Sequence, residues 1–378
     1  MFLLRRQGLI GEHVFSGKDG VMSFIRRVGC VQFDPVDICG RNADIALNAR
    51  IKDYCKGILD ELLYKDRRLI DYFDKNLSIF PIDDLPVFLS KKSGGTYASA
   101  YNNRGGDAIK RIEPIIRQLI DERGYISAKD VGVDETIVWS WSAMSSLPRA
   151  ALESMYFRGD LIIHHKTGTN KSYAFMKDHV PSEILDAKLP YETPEERLAW
   201  YTKRRIGAVG MLWNKAGDAW LGLGFKAADR EVAFSKLLSS GDIFEVTVDG
   251  LNIPLYVRED EREIMESVLS EKYFPPRAEF IAPLDNLMWD RKLIHALFGF
   301  DYKWEIYTPK EKRKYGAYTL PILYGDRFVG RIDMARKDRQ LLINNVWTKS
   351  GVPLAGEELL AFEKCFDRFS CFNECNII

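Results

Sequence analysis

One helix-and-hairpin pattern occurs twice in this chain, and that repeat constrains the fold more than any other feature of the sequence. Residues 149–175, RAALESMYFRGDLIIHHKTGTNKSYAF, align at a constant offset with residues 231–257, EVAFSKLLSSGDIFEVTVDGLNIPLYV. Gly159-Asp160 falls on Gly241-Asp242, Gly168 on Gly250, and Ala151, Leu152 and Met155 on Ala233, Phe234 and Leu237. Before each Gly-Asp the apolar residues recur at i, i+3 and i+4, the spacing of an amphipathic helix. Glycine suits the position just past the helix end, where a left-handed backbone closes the last turn. Beyond the Gly-Asp the chain reads as strand, glycine turn, strand. A helix and a hairpin cannot bury their apolar faces alone, so the repeat implies a chain built of packed modules.

The flanks extend each copy. Upstream of the first, Asp107 to Arg123 has helical spacing, and Ser127-Ala-Lys-Asp130 reads as a capping box. Upstream of the second, Thr193 caps a helix with Pro194 at its first position and Glu196 closing the box. Helix, short strand, helix, recognition-type helix and hairpin is the winged-helix plan. A fainter third copy lies at 59–83, LDELLYKDRRLIDYFDKNLSIFPID, without the Gly-Asp. The sequence therefore predicts three winged-helix modules, at 1–92, 107–181 and 190–274. SGGTYASAYNNRGG (93–106) reads as a linker, and Pro275-Pro276 marks a further boundary. Beyond it come strand-like runs, KWEIYT, GAYTLPILY, RFVGRIDMA and QLLINNVWT, with a hairpin turn at Tyr324-Gly-Asp-Arg327 and a final helix from about Gly356 to Cys371. The expected class is α+β: tandem winged helices, then a small β-barrel or sheet with a terminal helix at 277–378.

Composition excludes several functions. With 378 residues, 46% hydrophobic and 29% charged, the chain is globular, and its short apolar runs do not span a bilayer. The N-terminus lacks the order of a signal peptide, so a cytoplasmic protein, nucleoid-associated when on DNA, is expected. Six cysteines in such a chain read as reduced structural thiols, and five scattered histidines give no metal cluster; no metal and no cofactor are expected. His164-His165 lies on a hairpin strand, where one ring is expected on each face. Formal net charge is zero, from 54 basic and 54 acidic side chains, so any polyanion contact must come from local patches such as Lys310-Glu-Lys-Arg-Lys314. Most charge runs are solvated faces, and these patches alone do not establish nucleic-acid binding.

No phosphate loop, zinc-protease motif or nucleophile elbow is present. The stretch that remains is Gly29-Cys-Val-Gln-Phe-Asp-Pro-Val-Asp37. Asp34 as N-cap and Pro35 at the first helical position would make an efficient helix start. That leaves Gln32 unexplained, two residues back on the same strand face. An amide beside a carboxylate can hold and polarise one water, and a helix N-terminus would keep Asp34 ionised.

At these residues the chain resembles the YcaQ/AlkZ family of DNA glycosylases. The resemblance rests on tandem winged helices, Gln32-Phe33-Asp34, and residues 282–333. The most specific parts of that segment are Trp289-Asp290-Arg291, Phe300-Asp301-Tyr302, Trp304-Glu305-Ile306-Tyr307 and Lys312-Arg313-Lys314-Tyr315-Gly316. It implies three winged helices plus a C-terminal β-barrel, and excision of bulky N7- or N3-alkylated purines. It also implies unhooking of interstrand crosslinks in some members. Gln32-x-Asp34 matches the Gln-x-Asp branch, which commonly continues to Arg-x-His; here Arg41 is kept and Ala43 stands where the imidazole would be.

The resulting expectation is a monofunctional glycosylase acting on damaged double-stranded DNA as a monomer, with no nucleotide cofactor and no membrane partner. Gln32 would place the water, and Asp34 would stabilise the sugar cation and take the water's proton. Arg41, Lys166, Lys171, Arg291, Lys312, Arg313 and Lys314 would hold phosphates. The rival is a non-catalytic winged-helix regulator, which needs neither the polar pair nor the C-terminal segment.

Overall fold

The computed structural model describes residues 1–89, 105–139, 143–271 and 273–375; most of the 93–106 linker lies outside them. In chain order, helix α1 (Gly17–Val28) leads into the short strand β1 (Val31–Gln32), then α2 (Asn42–Asn48) and α3 (Lys56–Tyr64). Strands β2 (Leu69–Asp74) and β3 (Asn76–Pro81) follow, then α4 (Gly106–Arg123), β4 (Ile126–Ser127), α5 (Leu147–Arg158) and the hairpin β5 (Leu161–Thr167) and β6 (Asn170–Phe175). Next come α6 (Pro194–Val209), α7 (Ala227–Ser239) and the hairpin β7 (Ile243–Val246) and β8 (Leu255–Arg258). The chain ends with β9 (Ala278–Phe280), α8 (Arg291–Phe298), β10 (Thr319–Tyr324), β11 (Arg327–Lys337), β12 (Gln340–Thr348) and α9 (Gly356–Phe372).

Contacts divide the molecule into two compact units: residues 61–71 with 82–190, and residues 1–60, 72–81 and 191–378. The smaller unit holds the first copy of the repeat. Gly159 closes α5 in the left-handed conformation at φ 81°, and β4, β6 and β5 form one antiparallel sheet in that order. Ser127 and Asp130 form the reciprocal box, with Asp130 accepting from the Ser127 backbone N–H at 2.7 Å. The larger unit holds the second copy, α7 with β7 and β8, and Thr193, Pro194 and Glu196 cap α6 as expected. Its charged core is tightly paired: Arg50 forks onto Asp285 with both bonds at 2.7 Å, and Arg6 meets Glu261. Such buried pairs specify one packing because breaking either partner strands a charge.

Four expectations change. The C-terminal strands do not close into a barrel: they form an open antiparallel sheet in the order β9-β10-β11-β12, so the sheet alternative holds. The Tyr324–Arg327 turn is present, with those two residues paired across it. KWEIYT is irregular, because Glu305 turns inward and accepts backbone N–H bonds from Lys314 and Tyr315 at 2.9 and 2.8 Å. No helix starts at Asp34: residues 33–40 form turns and a bridge, and α2 begins at Asn42. Finally, His164 and His165 do not face opposite ways. The β5–β6 register slips there, and the two Nδ1 atoms lie 2.8 Å apart. Among the described residues no helix is long and apolar enough to cross a membrane.

Candidate active site

The strand that carries Gln32 is short, yet it is held on several sides. Val31 and Gln32 pair with Ile79 and Ser78 of β3, and Phe33 N–H extends the ladder to Leu77 O at 2.9 Å. Asn42 at the start of α2 donates its amide to Gln32 O at 2.9 Å and accepts from the Leu284 backbone at 2.8 Å. Asn286 donates to Cys30 O at 2.9 Å. Two asparagine side chains thus satisfy backbone groups that a two-residue strand leaves over, and they fix its direction. Gln32 itself is 6% exposed.

Asp34 lies beyond the strand and is half-buried. Its Oδ1 accepts from Val36 N–H at 2.9 Å, an Asx turn in place of the expected helix cap. The electrostatics change accordingly. Burial pushes the Asp34 carboxyl above its ordinary value, and the single Val36 bond only partly offsets it. A carboxylate so raised is a better proton acceptor than the helix-stabilised anion expected from the sequence. Tyr318, from just before β10, is nearly buried, and its hydroxyl has no hydrogen-bond partner among the described residues. Burial above all pushes its pKa well up.

Beside Gln32 sits a residue that sequence reasoning missed. Lys75 Nζ lies 3.4 Å from Gln32 Oε1 and 4.7 Å from the Trp289 ring centroid, on a side chain in a residue only 5% exposed. Its neighbour Asp74 is buried against Arg204 and Arg205, each at 2.8 Å, which holds the Asp74 carboxyl far below the usual carboxylate range. In sequence, Asp74-Lys75-Asn76 is only part of the fainter third copy at 59–83, with nothing in those three residues to single out Lys75. The signal that could have found it is the apolar strand on either side.

The basic residues separate into two groups. Arg41 is engaged with Asp44 and, at 3.4 Å, Asp60, while Tyr54 donates to Asp44 at 2.6 Å. Lys166 is turned onto Asp71 and nearly buried; Lys171 is half-buried and its pKa lowered by burial. Arg313 donates to Thr308 O at 2.8 Å. Lys312 and Lys314 are exposed. Arg291 and Lys314 line a cleft of about 800 Å³ within the larger unit, together with Lys215, Lys292, Lys303 and Arg331. These six basic side chains outnumber the two acids of the lining, Glu305, which accepts backbone N–H bonds, and Asp301, which meets His295 at 2.9 Å. The cleft is therefore a positive surface on a chain of zero net charge.

A buried amide on a short strand and a half-buried carboxylate just beyond it, in a unit that also carries a basic cleft, fit enzymes that act on nucleic acid. The family model for AlkZ-like DNA glycosylases matches residues 25–372. Among solved structures, the DNA glycosylase AlkZ of Streptomyces sahachiroi shares this fold with a TM-score of 0.62. The match covers 99% of this chain and 95% of that one at 13% identity. The chain belongs to the AlkZ-like DNA glycosylase family, and it is a DNA repair enzyme.

Proposed function

We propose that this glycosylase excises bulky N7- or N3-alkylated purines from duplex DNA by hydrolysis, with Asp34 and Gln32 as its catalytic pair. The observation that carries the reading is the half-buried Asp34 carboxylate, raised by burial, two residues from a buried amide on a pinned strand. A purine alkylated at N7 is already cationic, so it leaves with the electron pair of the C1′–N bond and needs little acid catalysis. What the site must supply is stabilisation of an oxocarbenium-like sugar and one placed water. Asp34 does the first electrostatically and takes the water's proton as oxygen bonds to C1′. Gln32 orients that water. No covalent enzyme intermediate is required. The helix-and-hairpin repeats are read as winged-helix modules with the boundaries 1–92, 107–181 and 190–274, and the region 277–378 as the fourth module. The basic cleft holds backbone phosphates without reading sequence. A crosslinked base cannot swing fully out of the stack, so unhooking of a crosslink by this enzyme would have to proceed without full flipping.

The test is single-turnover excision of N7-methylguanine from duplex DNA, read as abasic product. Asp34→Asn keeps the acceptor for Val36 and should fold and bind normally, with excision lowered by about 10²–10⁴-fold. The wild-type rate should fall as pH drops through the Asp34 pKa, which lies above the ordinary 3.8. Unchanged excision by Asp34→Asn would sink the reading.

A further inference from the structure

We infer that Lys75 is a positioning residue: its ammonium holds Gln32 Oε1 and thereby turns both amide N–H bonds of Gln32 away from itself, toward the reacting centre. The inference rests on the role proposed for Gln32. An amide has an acceptor end and a donor end, and an ammonium can only donate. With Nζ 3.4 Å from Oε1, the protonated lysine admits one of the two amide orientations. Gln32 then offers donors to the attacking water or to the sugar oxygens, and the carboxylate of Asp34 supplies the acceptor. Without the ammonium the amide is free to flip, and half of its orientations would compete with Asp34 for the water's protons.

The surroundings are built to keep Lys75 there. It sits in the tight turn between β2 and β3, where Asn76 adopts a left-handed φ of 56° and Ser78 Oγ donates to Lys75 O at 3.0 Å. Trp289 supplies a ring face 4.7 Å from Nζ, and that ring is fixed by its own bond to Leu284 O at 3.1 Å. No carboxylate lies within ion-pair distance of Lys75 among the described residues, because the adjacent Asp74 is taken by Arg204 and Arg205. Burying an ammonium whose side-chain acceptor is a neutral amide costs free energy, which the fold bears at this position.

The charged groups around it set when it keeps its proton. Burial lowers the Lys75 pKa most, Arg205 of α6 and Arg291 of α8 lower it further, and Cys30 and Asp218 raise it, leaving it at about 8. Protonated below that value and neutral above it, Lys75 would then also accept, and the amide orientation is lost. The excision rate should therefore fall on the alkaline side with a midpoint near pH 8.

The experiment uses the full chain and N7-methylguanine duplex, with single-turnover rates from pH 6 to 10 for wild type, Lys75→Met, Lys75→Arg and Gln32→Ala. Lys75→Met keeps the apolar stem and should lower the rate at pH 7 about tenfold with little change in DNA affinity. It should also lose the alkaline fall. Lys75→Arg stays charged across the range and should carry activity past pH 8. In a Gln32→Ala background, Lys75→Met should add nothing. An alkaline fall that persists in Lys75→Met, or a rate equal to wild type at pH 7, overturns the inference. A covalent protein–DNA adduct trapped by borohydride in wild type and lost in Lys75→Met overturns it too, since the lysine would then be a nucleophile. If Gln32→Ala excises like wild type, the underlying site reading fails; if Gln32→Ala is impaired while Lys75→Met is normal, only the role of Lys75 fails.

Discussion

In the first copy of the repeat, β5 and β6 meet in a two-residue turn at Gly168-Thr169; in the second, β7 and β8 stop early and leave residues 247–254 as an open loop. The sequence pattern is shared, but the use made of it differs. The first hairpin is satisfied from within its unit. Arg67 donates to the carbonyls of Ile163 and His164 at 2.9 and 3.0 Å, Tyr156 donates to Asp71 O, and Lys166 is turned onto the Asp71 carboxylate. The second hairpin sends Gly250, Leu251, Asn252 and Ile253 to the wall of the basic cleft, where Lys292, Lys303 and Lys314 lie beside it. Lysines on a hairpin are thus no guide to nucleic acid by themselves. What decides is whether a carboxylate on the same unit already holds them.

The largest effect should come from breaking the first hairpin's pairing. Lys166→Met removes the ion-pair partner of the buried Asp71; among the described residues the Tyr64 hydroxyl at 3.5 Å remains as a side-chain hydrogen-bond partner, with the charges of Lys171 and Arg67 nearby. Removing one partner of a buried pair costs about 3–5 kcal/mol. Urea unfolding should show that loss, while DNA affinity of the folded protein stays at the wild-type value. If instead affinity and its salt dependence drop without a stability change, the contrast between the hairpins is wrong and Lys166 is a phosphate contact.

The second region should respond the opposite way. Lys292→Gln and Lys303→Gln remove exposed cations of the cleft, and exposed charges contribute at most ~1 kcal/mol to stability. Duplex affinity should weaken several-fold for each, and the slope of log affinity against log salt should shrink by about one per lysine. Titrations at several salt concentrations check this. An unchanged slope in the double variant would remove the cleft from the DNA path.

These contrasts also mark how far the sequence could be read. The repeat, the boxes at Ser127 and Thr193, the Tyr324–Arg327 turn and the last helix were all legible, because each is set by residues within a few positions of one another. The barrel failed for a non-local reason. Whether strands at 278–348 close on themselves depends on the pairing of β9 with β12, far apart in the chain, and no local signal carries it. Asp34-Pro35 has the local form of a helix start. Yet Asp37 takes the Gly40 N–H at 3.0 Å and bridges to Arg41, which postpones the helix to Asn42. The site was half legible in the same sense. Gln32 and Asp34 stand out by type and spacing, whereas Lys75 is brought to Gln32 only by the β1–β3 pairing.

The smallest effect tests the two turns directly, at glycines that align in the repeat. Gly168 and Gly250 both have positive φ, 60° and 84°, and a methyl group added at either meets nothing within 4 Å. Alanine therefore costs only backbone strain, about 1 kcal/mol where the conformation is enforced. At Gly168 the tight turn between paired strands enforces it, so Gly168→Ala should lose about that much stability in urea unfolding. At Gly250 the long loop can redistribute its dihedrals, and Gly250→Ala should lose less than half as much. Equal losses would mean that the 247–254 loop is as rigidly determined as the short turn. The open wall of the cleft would then be a fixed surface, and its lysines would hold phosphates in one register only.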